Sequence, residues 1–299
     1  MDETRNPQEE SCESDALGEL RLGLAALGSL RWAAVDLSAP LEDARRRLDL
    51  SPAAAVALGQ TLTSATLLLR FTNKRPGRLA VNIHGDGPLG KVTAEVTHEG
   101  YLRGLVGEPQ LATPADQSLA STAWAIGAGT LKVIQSNERG TYESQVELMT
   151  GEIGTDLVHY LEQSQQILSA ALLGVHPCPD GIDHAGGILI EALPGTPEED
   201  IVRLEKNIQA LPGVSAALAE GGIDGLLKSV LQGFEQEELE KFPLRYGCGQ
   251  GRDQILGKLS TLPDEELEEL LSERDDFAAD CAYCGRRFVF RREDIQSIH

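Results

Sequence analysis

The chain has 299 residues, enough for roughly two domains, one of which can bury a sizeable core. With 41% apolar and 24% charged residues its composition is globular, and only 4% aromatic residues predict an aliphatic, alanine-rich core. A net charge of −21 argues against nucleic-acid binding, which needs a basic footprint, and against binding to an anionic membrane surface.

The first domain is predicted to mix helices and strands. Residues 1–15 are polar and acidic without periodicity, which is typical of a disordered leader, and the α/β core domain is expected over residues 16–194. Ser51-Pro52 places an N-cap before a proline at the first helical position, so a helix is predicted to run to about Leu69. Strands are predicted at 78–83, 91–96, 129–134, 142–148, 170–175 and 187–193, with a further helix at 155–168.

A helical connector is predicted over residues 195–242. Thr196-Pro197-Glu198-Glu199 has the capping-box pattern, which predicts a helix to about Leu211, and a second helix is predicted from about Ile223 to Leu239. Residues 243–299 hold three of the five cysteines and are predicted to form a small C-terminal domain with a helix at 263–273. The predicted fold class is therefore α+β: a mixed N-terminal α/β domain, a helical connector and a small zinc-binding-type domain.

Two motifs in the first domain have competing interpretations. The segment 85–90 matches G-x-G-x-x-G, but a strand pattern rather than a helix follows it, so we interpret it as a hairpin turn rather than a dinucleotide site. The loop His176–His184 gathers five potential metal ligands in nine residues, yet its prolines, glycine and aspartates are also what an inter-strand turn contains. We favour the turn, and since no nucleophile–base motif appears, we expect no enzymatic activity.

The cysteines indicate chemistry in a reducing compartment. No apolar run is judged long enough to span a bilayer, and the acidic N-terminus lacks the basic start and apolar stretch of a secretory leader. We therefore expect a cytoplasmic protein. Its cysteines, at 12, 178, 248, 281 and 284, are odd in number, which favours metal binding or redox chemistry over a disulfide framework.

The strongest local motif is Cys281-Ala282-Tyr283-Cys284-Gly285. In such a C-x-x-C-G knuckle both thiolates can face one metal, while the glycine frees backbone amides to donate to sulfur. Cys248 lies 33 positions before Cys281, with the helix predicted at 263–273 between them. The alternative is a redox-inert pair of buried cysteines, which we consider less favoured because C-x-x-C in a small terminal domain usually has a chemical role.

From about Leu30 to Phe290 the chain resembles the 33-kilodalton chaperonin family, the redox-regulated heat-shock holdases of bacteria. The stretches that carry this resemblance, in chain order, are Arg31, His84–Gly90, Arg103-Gly104, Gly129-Thr130-Leu131, Gly151-Glu152-Ile153, Asp156, Tyr160, Gln163–Gln166, Leu173-Gly174-Val175, Ala185-Gly186-Gly187 and Leu193-Pro194-Gly195. The resemblance implies the family's fold and its chaperone class.

One position departs from the family pattern. The resemblance implies a four-cysteine zinc site of the form C-x-C, a spacer, then C-x-x-C, and here a spacer of 32 residues and Cys281/Cys284 fit it. Alignment on Arg252 puts Cys248 at the second cysteine of the first pair and Tyr246 at the first. One zinc ligand, and the partner for one regulatory disulfide, is thereby missing.

The incomplete ligand set leaves the fourth zinc position open. Water, the Asp280 carboxylate or His299 are the candidates, because the Tyr246 phenol, with an ordinary pKa near 10, is mostly protonated at neutral pH. We expect zinc in the reduced state to be weakly held or absent.

The resemblance implies an ATP-independent chaperone that holds unfolding client proteins under oxidative and heat stress. Cys248, Cys281 and Cys284 would be both its redox-active and its metal-binding residues, with a homodimer on oxidation and regulation weakened by the missing cysteine. The alternative is a zinc-ribbon adaptor or regulatory protein without chaperone activity, which a bare C-x-x-C-G knuckle would permit.

Overall fold

The computed structural model describes residues 17–72, 76–166, 168–249, 256–257, 276–285, 287–291 and 293–294. These residues form a mixed α+β fold with one ten-stranded sheet, one two-stranded sheet and helices on both faces of the larger sheet. The predicted fold class is confirmed. The predicted leader, residues 1–15, and the predicted helix at 263–273 lie outside the described residues.

The described residues contain twelve strands and six helices. The strands are β1 Leu17–Ala25, β2 Leu30–Asp36, β3 Gly77–Gly85, β4 Lys91–Thr97, β5 Tyr101–Val106, β6 Gly129–Asn137, β7 Gly140–Glu147, β8 Ser169–Cys178, β9 Gly181–Ala192, β10 Gln236–Tyr246, β11 Asp276–Asp280 and β12 Arg287–Arg291. The helices are α1 Ser38–Leu48, α2 Pro52–Thr72, α3 Ala123–Ile126, α4 Ile153–Tyr160, α5 Glu198–Gln209 and α6 Val214–Val230.

The large sheet consists of two antiparallel groups of strands, which strand β10, late in the chain, joins in the middle. Its order is β7-β6-β3-β4-β5-β10-β1-β2-β9-β8. Every neighbouring pair is antiparallel except β5 and β10, which run parallel and pair only at Arg245↔Tyr101 and Tyr246↔Leu102. On its other side β10 pairs with β1 along nearly its whole length, from Arg245 back to Gln236. The strand that precedes Cys248 therefore closes the middle of the sheet.

Helix α2 is the centre of the main core. It begins as predicted, with the Ser51 Oγ accepting the Ala54 N–H at 3.3 Å, and it is buried on all sides. Its length and mean hydropathy of 1.3 would suffice for a membrane span, so the expectation that no apolar run reaches that length is wrong here. Because 94% of that stretch is buried inside the protein, α2 serves as a core helix.

Both predicted turns of the first domain are confirmed. β3 and β4 form an antiparallel hairpin across the glycine-rich segment, whose Gly85 N–H donates to the Gly90 carbonyl at 2.8 Å. Gly90 has φ +72°, a left-handed conformation that favours glycine. The 176–184 segment is also a hairpin, in which β8 continues to Cys178 and β9 begins at Gly181.

The connector packs on the opposite face of the sheet from α2. A second apolar cluster joins α5 and α6 to β2 and β9, with the buried members Leu30, Trp32, Ile188, Ile190, Leu204, Leu218, Leu226 and Val230 among them. The predicted capping box does not form. The Thr196 hydroxyl donates to the Ser29 and Leu193 carbonyls instead of capping a helix, and α5 begins only at Glu198, with no side-chain cap.

Two predicted helices end earlier than expected. The helix predicted to reach Leu239 ends at Val230, and residues 236–246 form strand β10 instead. The glutamate-rich run favours a helix by propensity, but pairing with β1 overrides it, and the exposed side chains show no alternation. The helix predicted over 155–168 is α4, which passes into a single π turn over Leu161–Gln165 and stops where Gln166 is left-handed. The range 195–242 is therefore only partly helical.

Candidate metal centre

The three cysteines predicted to act together lie together. Cys248 follows the end of β10, while Cys281 and Cys284 lie in the turn between β11 and β12. Their sulfur atoms are all within 4.8 Å of one another, and the Cys284 and Cys248 sulfurs are 3.6 Å apart. The cluster thus joins the strand at the middle of the sheet to the C-terminal hairpin.

The segment Cys281–Gly285, here called the knuckle, has the geometry its sequence predicts. Gly285 is left-handed, with φ +66°, and its N–H donates to the Cys281 carbonyl at 2.8 Å. The other two thiols and the backbone amides of Tyr283 and Cys284 bond to the Cys281 sulfur and lower its pKa. Cys281 is therefore set up to act as a thiolate, the form that ligates metals and reacts with oxidants.

The cluster is largely shielded from solvent. Cys284 is fully buried, Cys248 is 9% exposed, and Cys281 is partly exposed. Cys248 and Cys284 belong to the main apolar core, together with Phe288 and Phe290 of β12. Opening the cluster would therefore also uncover apolar surface.

The three thiols fit three corners of a zinc site. Tetrahedral zinc with sulfur at about 2.3 Å places neighbouring sulfurs about 3.8 Å apart, close to the 3.6 Å between Cys248 and Cys284. Of the expected fourth ligands, Asp280 lies outside the close group and its carboxylate accepts both bonds from Arg287, at 2.9 and 3.1 Å. His299 lies outside the described residues.

Tyr246 lies at the position where the resemblance implies a fourth cysteine, and its role is structural. It is fully buried, and its hydroxyl donates to the Tyr283 carbonyl at 2.7 Å. The Arg47 guanidinium lies over its ring at 5.9 Å. Burial raises the pKa of this phenol, and its proton is donated to the Tyr283 carbonyl, so the neutral phenol is favoured over the phenolate. Tyr246 instead ties the end of β10 directly to the knuckle.

The knuckle also rests on the N-terminal domain. The Tyr283 carbonyl accepts the Gly104 N–H of β5 at 3.1 Å, and the Arg103 guanidinium lies 5.1 Å from the Tyr283 ring centre. At Gly285 a Cβ atom would lie 2.6 Å from the Arg47 carbonyl at the end of α1. Only glycine allows so close an approach.

Among the described residues, Cys178 and the two histidines of the 176–184 hairpin lie outside this site. Cys178 is exposed at the tip of the β8–β9 hairpin, where His176 and His184 face each other across the strands. Within the described part of the chain, that loop contributes no ligand atom to a close group of three. Cys12 lies outside the described residues.

Comparison with known proteins decides the family. The profile of the family described as "Hsp33 protein" matches residues 19–291. The chain belongs to the Hsp33 family. The 33 kDa chaperonin of one Thermus thermophilus strain is 37% identical over 295 residues, covering 94% of this chain and 86% of the relative. That of Symbiobacterium thermophilum is 36% identical, covering 92% and 95%.

A solved structure gives the same answer for the fold. The crystal structure of the 33 kDa chaperonin from Thermotoga maritima superposes with a TM-score of 0.81 at 30% identity, covering 95% of this chain and 98% of the other. The resemblance of this sequence to the Hsp33 family is thereby confirmed.

Sequence reasoning missed the residues that dock the knuckle. Gly104, Arg103 and Arg47 were not assigned to the site, although Arg103-Gly104 is one of the stretches shared with the Hsp33 family. Their role depends on which strand edge meets the knuckle, and no local pattern in the sequence records that. The one signal in the sequence was Tyr246, a large aromatic residue at a position where the resemblance implies a zinc ligand.

Proposed function

We propose that this protein is an ATP-independent holdase that binds unfolding client proteins and is controlled by the redox state of Cys248, Cys281 and Cys284. It is not an enzyme, and it acts in the cytoplasm during oxidative and heat stress. The names of its relatives, 33 kDa chaperonins, support the chaperone class. The observation that carries the proposal is that the thiol cluster joins β10, in the middle of the large sheet, to the knuckle lying against β5.

In the reduced protein we assign Cys248, Cys281 and Cys284 as zinc ligands. Zinc, when bound, supplies a cross-link among three thiolates and with it folding free energy for the small C-terminal region. The lowered pKa of Cys281 and the sulfur spacing both suit this assignment. We call this arrangement, with the thiols clustered and the knuckle against β5, the closed state.

Oxidation opens the closed state. Hydrogen peroxide takes two electrons from the Cys281 and Cys284 sulfurs, an S–S bond forms between them, and two molecules of water are released, with the two protons supplied by the thiols or, for thiolates, by solvent. Sulfurs engaged in a disulfide no longer act as thiolate ligands, so the link to Cys248 is lost. Cys248 then remains a thiol, forms a sulfenic acid, or pairs with a second copy to give a homodimer.

Regulation is weaker than in a four-cysteine site. Structural zinc sites contribute about 10–16 kcal/mol, so one of four ligands corresponds to roughly 3 kcal/mol if the ligands share equally. The Tyr246 hydrogen bond to the knuckle stabilises the closed state by about 1 kcal/mol and so offsets part of the lost zinc-binding free energy. The closed state is then still less favoured by about 2 kcal/mol, and heat alone should partly open it.

The test is suppression of light scattering from a heat-denaturing client, without ATP, by reduced and by peroxide-treated protein. We expect strong suppression after oxidation and partial suppression by the reduced protein at elevated temperature. Cys178→Ser, which removes an exposed cysteine outside the cluster, is the matched control and should behave like the unaltered protein. A protein that suppresses scattering in neither state is not a holdase, and the zinc-ribbon adaptor is then the better interpretation.

A further inference from the structure

Among the described residues, the outer edge of strand β5 is covered by the closing segment, which we define as residues 245–249 together with the knuckle. Along this edge the Gly100 carbonyl accepts the Arg245 N–H at 2.9 Å, and the Leu102 carbonyl accepts the Gly247 N–H at 2.7 Å. Two residues further along β5, the Gly104 N–H donates to the Tyr283 carbonyl of the knuckle. These three backbone bonds are made by the same residues that the thiol cluster holds in place.

The rest of β5 does not depend on the closing segment. On its inner side it pairs with β4 from Val92↔Val106 to Val96↔Leu102, and Leu102 and Val106 point into the main core. When the closing segment leaves, β5 therefore remains a formed strand with unpaired backbone groups along one side. Such an edge is a template for pairing with another extended chain.

We propose that the β5 edge is a client-binding site, which accepts an extended segment of an unfolding protein in place of the closing segment. This inference rests on the proposed function, since it names how the holdase takes its clients. The edge already holds an extended strand, β10, in the closed state, which shows that the surrounding space fits one.

The chemistry of the edge also indicates which segments it takes. Departure of the closing segment vacates the space of two tyrosine rings, one beneath Arg47 and one beneath Arg103. Guanidinium groups stack favourably on aromatic rings. We therefore expect a preference for extended segments that carry aromatic side chains, while the main-chain bonds impose little sequence selectivity.

Hydrogen exchange at the Gly104 amide tests the proposal, and the neighbouring Arg103 amide is its internal control. Because the Gly104 N–H faces outward, alternation along the strand turns the Arg103 N–H toward β4. Substitution at Gly104 is unsuitable, since a Cβ there would lie 2.6 Å from both the Leu58 side chain and the Thr93 carbonyl.

In full-length protein treated with peroxide, we expect exchange at Gly104 to rise at least about tenfold and to fall again when client is bound. Exchange at Arg103 should stay unchanged throughout. If Gly104 stays protected after oxidation, or stays exposed while client aggregation is suppressed, clients bind elsewhere and the inference is wrong, although the holdase function stands.

A peptide separates this inference from the proposed function. A fluorescently labelled synthetic peptide of residues 242–249, carrying Cys248→Ser, should bind the oxidised protein, with affinity measured by fluorescence anisotropy, because its Arg245 and Gly247 N–H groups can again donate to the Gly100 and Leu102 carbonyls. N-methylation at Arg245 and Gly247 removes the two donors toward β5 and should weaken binding about tenfold, whereas N-methylation at Leu244 and Tyr246 should not. Equal loss with both pairs would contradict strand addition. Binding with this pattern in a protein that suppresses no aggregation would support the edge and refute the holdase.

Discussion

Replacing Tyr246 with phenylalanine isolates the hydrogen bond that ties β10 to the knuckle. The ring and its place beneath Arg47 are kept, and the hydroxyl that donates to the Tyr283 carbonyl at 2.7 Å is removed. That carbonyl keeps its bond from the Gly104 N–H, and the buried Gly104 carbonyl loses only a long, weak contact, at 3.5 Å from the hydroxyl. The expected cost is then the net value of one hydrogen bond, about 1 kcal/mol.

This cost should appear as a shift of the closed state. A change of about 1 kcal/mol corresponds to about a fivefold higher population of the open state. In reduced, metal-free protein we expect Tyr246→Phe to speed hydrogen exchange at the Gly104 amide by about fivefold, because exchange there reports local opening. The same variant should raise the holdase activity of the reduced protein.

Tyr160→Phe is the matched control. Tyr160 is also fully buried, and its hydroxyl lies 2.7 Å from the Ser144 hydroxyl, far from the knuckle in the sheet order. It should lower the free energy of unfolding by a similar amount without speeding exchange at Gly104. If the two variants change Gly104 exchange equally, or if neither does, Tyr246 does not hold the knuckle and the reasoning fails.

Three further predictions follow from the same cluster and from α1. Tyr246→Cys restores a fourth thiolate, so zinc should bind more tightly in a competition titration and reduced-state holdase activity should fall; unchanged zinc affinity would contradict the assigned ligand position. Peptide mapping after limited peroxide should find Cys281–Cys284 as the first disulfide, and a dominant Cys248–Cys284 bond, which the 3.6 Å separation also permits, would overturn that order. Arg45, Arg46 and the Ile182 N–H lower the pKa of Glu42 from 4.5 to about 2, so this carboxylate stabilises the fold above pH 4.5 and loses that effect as the pH falls toward 2. Glu42→Gln should therefore lower the unfolding free energy at pH 7 and flatten its acid dependence; an unaltered acid profile would count against the ion pair.

Much of the fold was predictable because its patterns are local. The N-cap before α2, the β3–β4 hairpin and the glycine turn that ends C-x-x-C-G each depend on a few adjacent residues, and all three are found in the structure. Strand β10 was mispredicted because its residues favour a helix by propensity, and the fact that decides otherwise, pairing with β1, involves residues more than two hundred positions away.

In the candidate site, too, local features could be predicted from the sequence and long-range contacts could not. The pairing of Cys281 with Cys284 could be predicted from their C-x-x-C spacing, and the place of Cys248 beside them followed from the family resemblance. The contact between Tyr246 and Tyr283 could not, since it arises only where β10 meets the β5 edge and the knuckle folds back over both. Tyr246, which the sequence marks only as a missing ligand, therefore joins β10 to the knuckle through its hydrogen bond.

The central claim, that thiol oxidation releases the closing segment and so switches on client holding, is tested most directly by one peroxide titration. On the same samples, free thiols, hydrogen exchange at the Gly104 amide and suppression of client light scattering are measured together. We predict that loss of the Cys281 and Cys284 thiols, faster exchange at Gly104 and suppression rise in parallel across the titration. Suppression that reaches its maximum while Gly104 is still protected and both thiols are intact would contradict the claim.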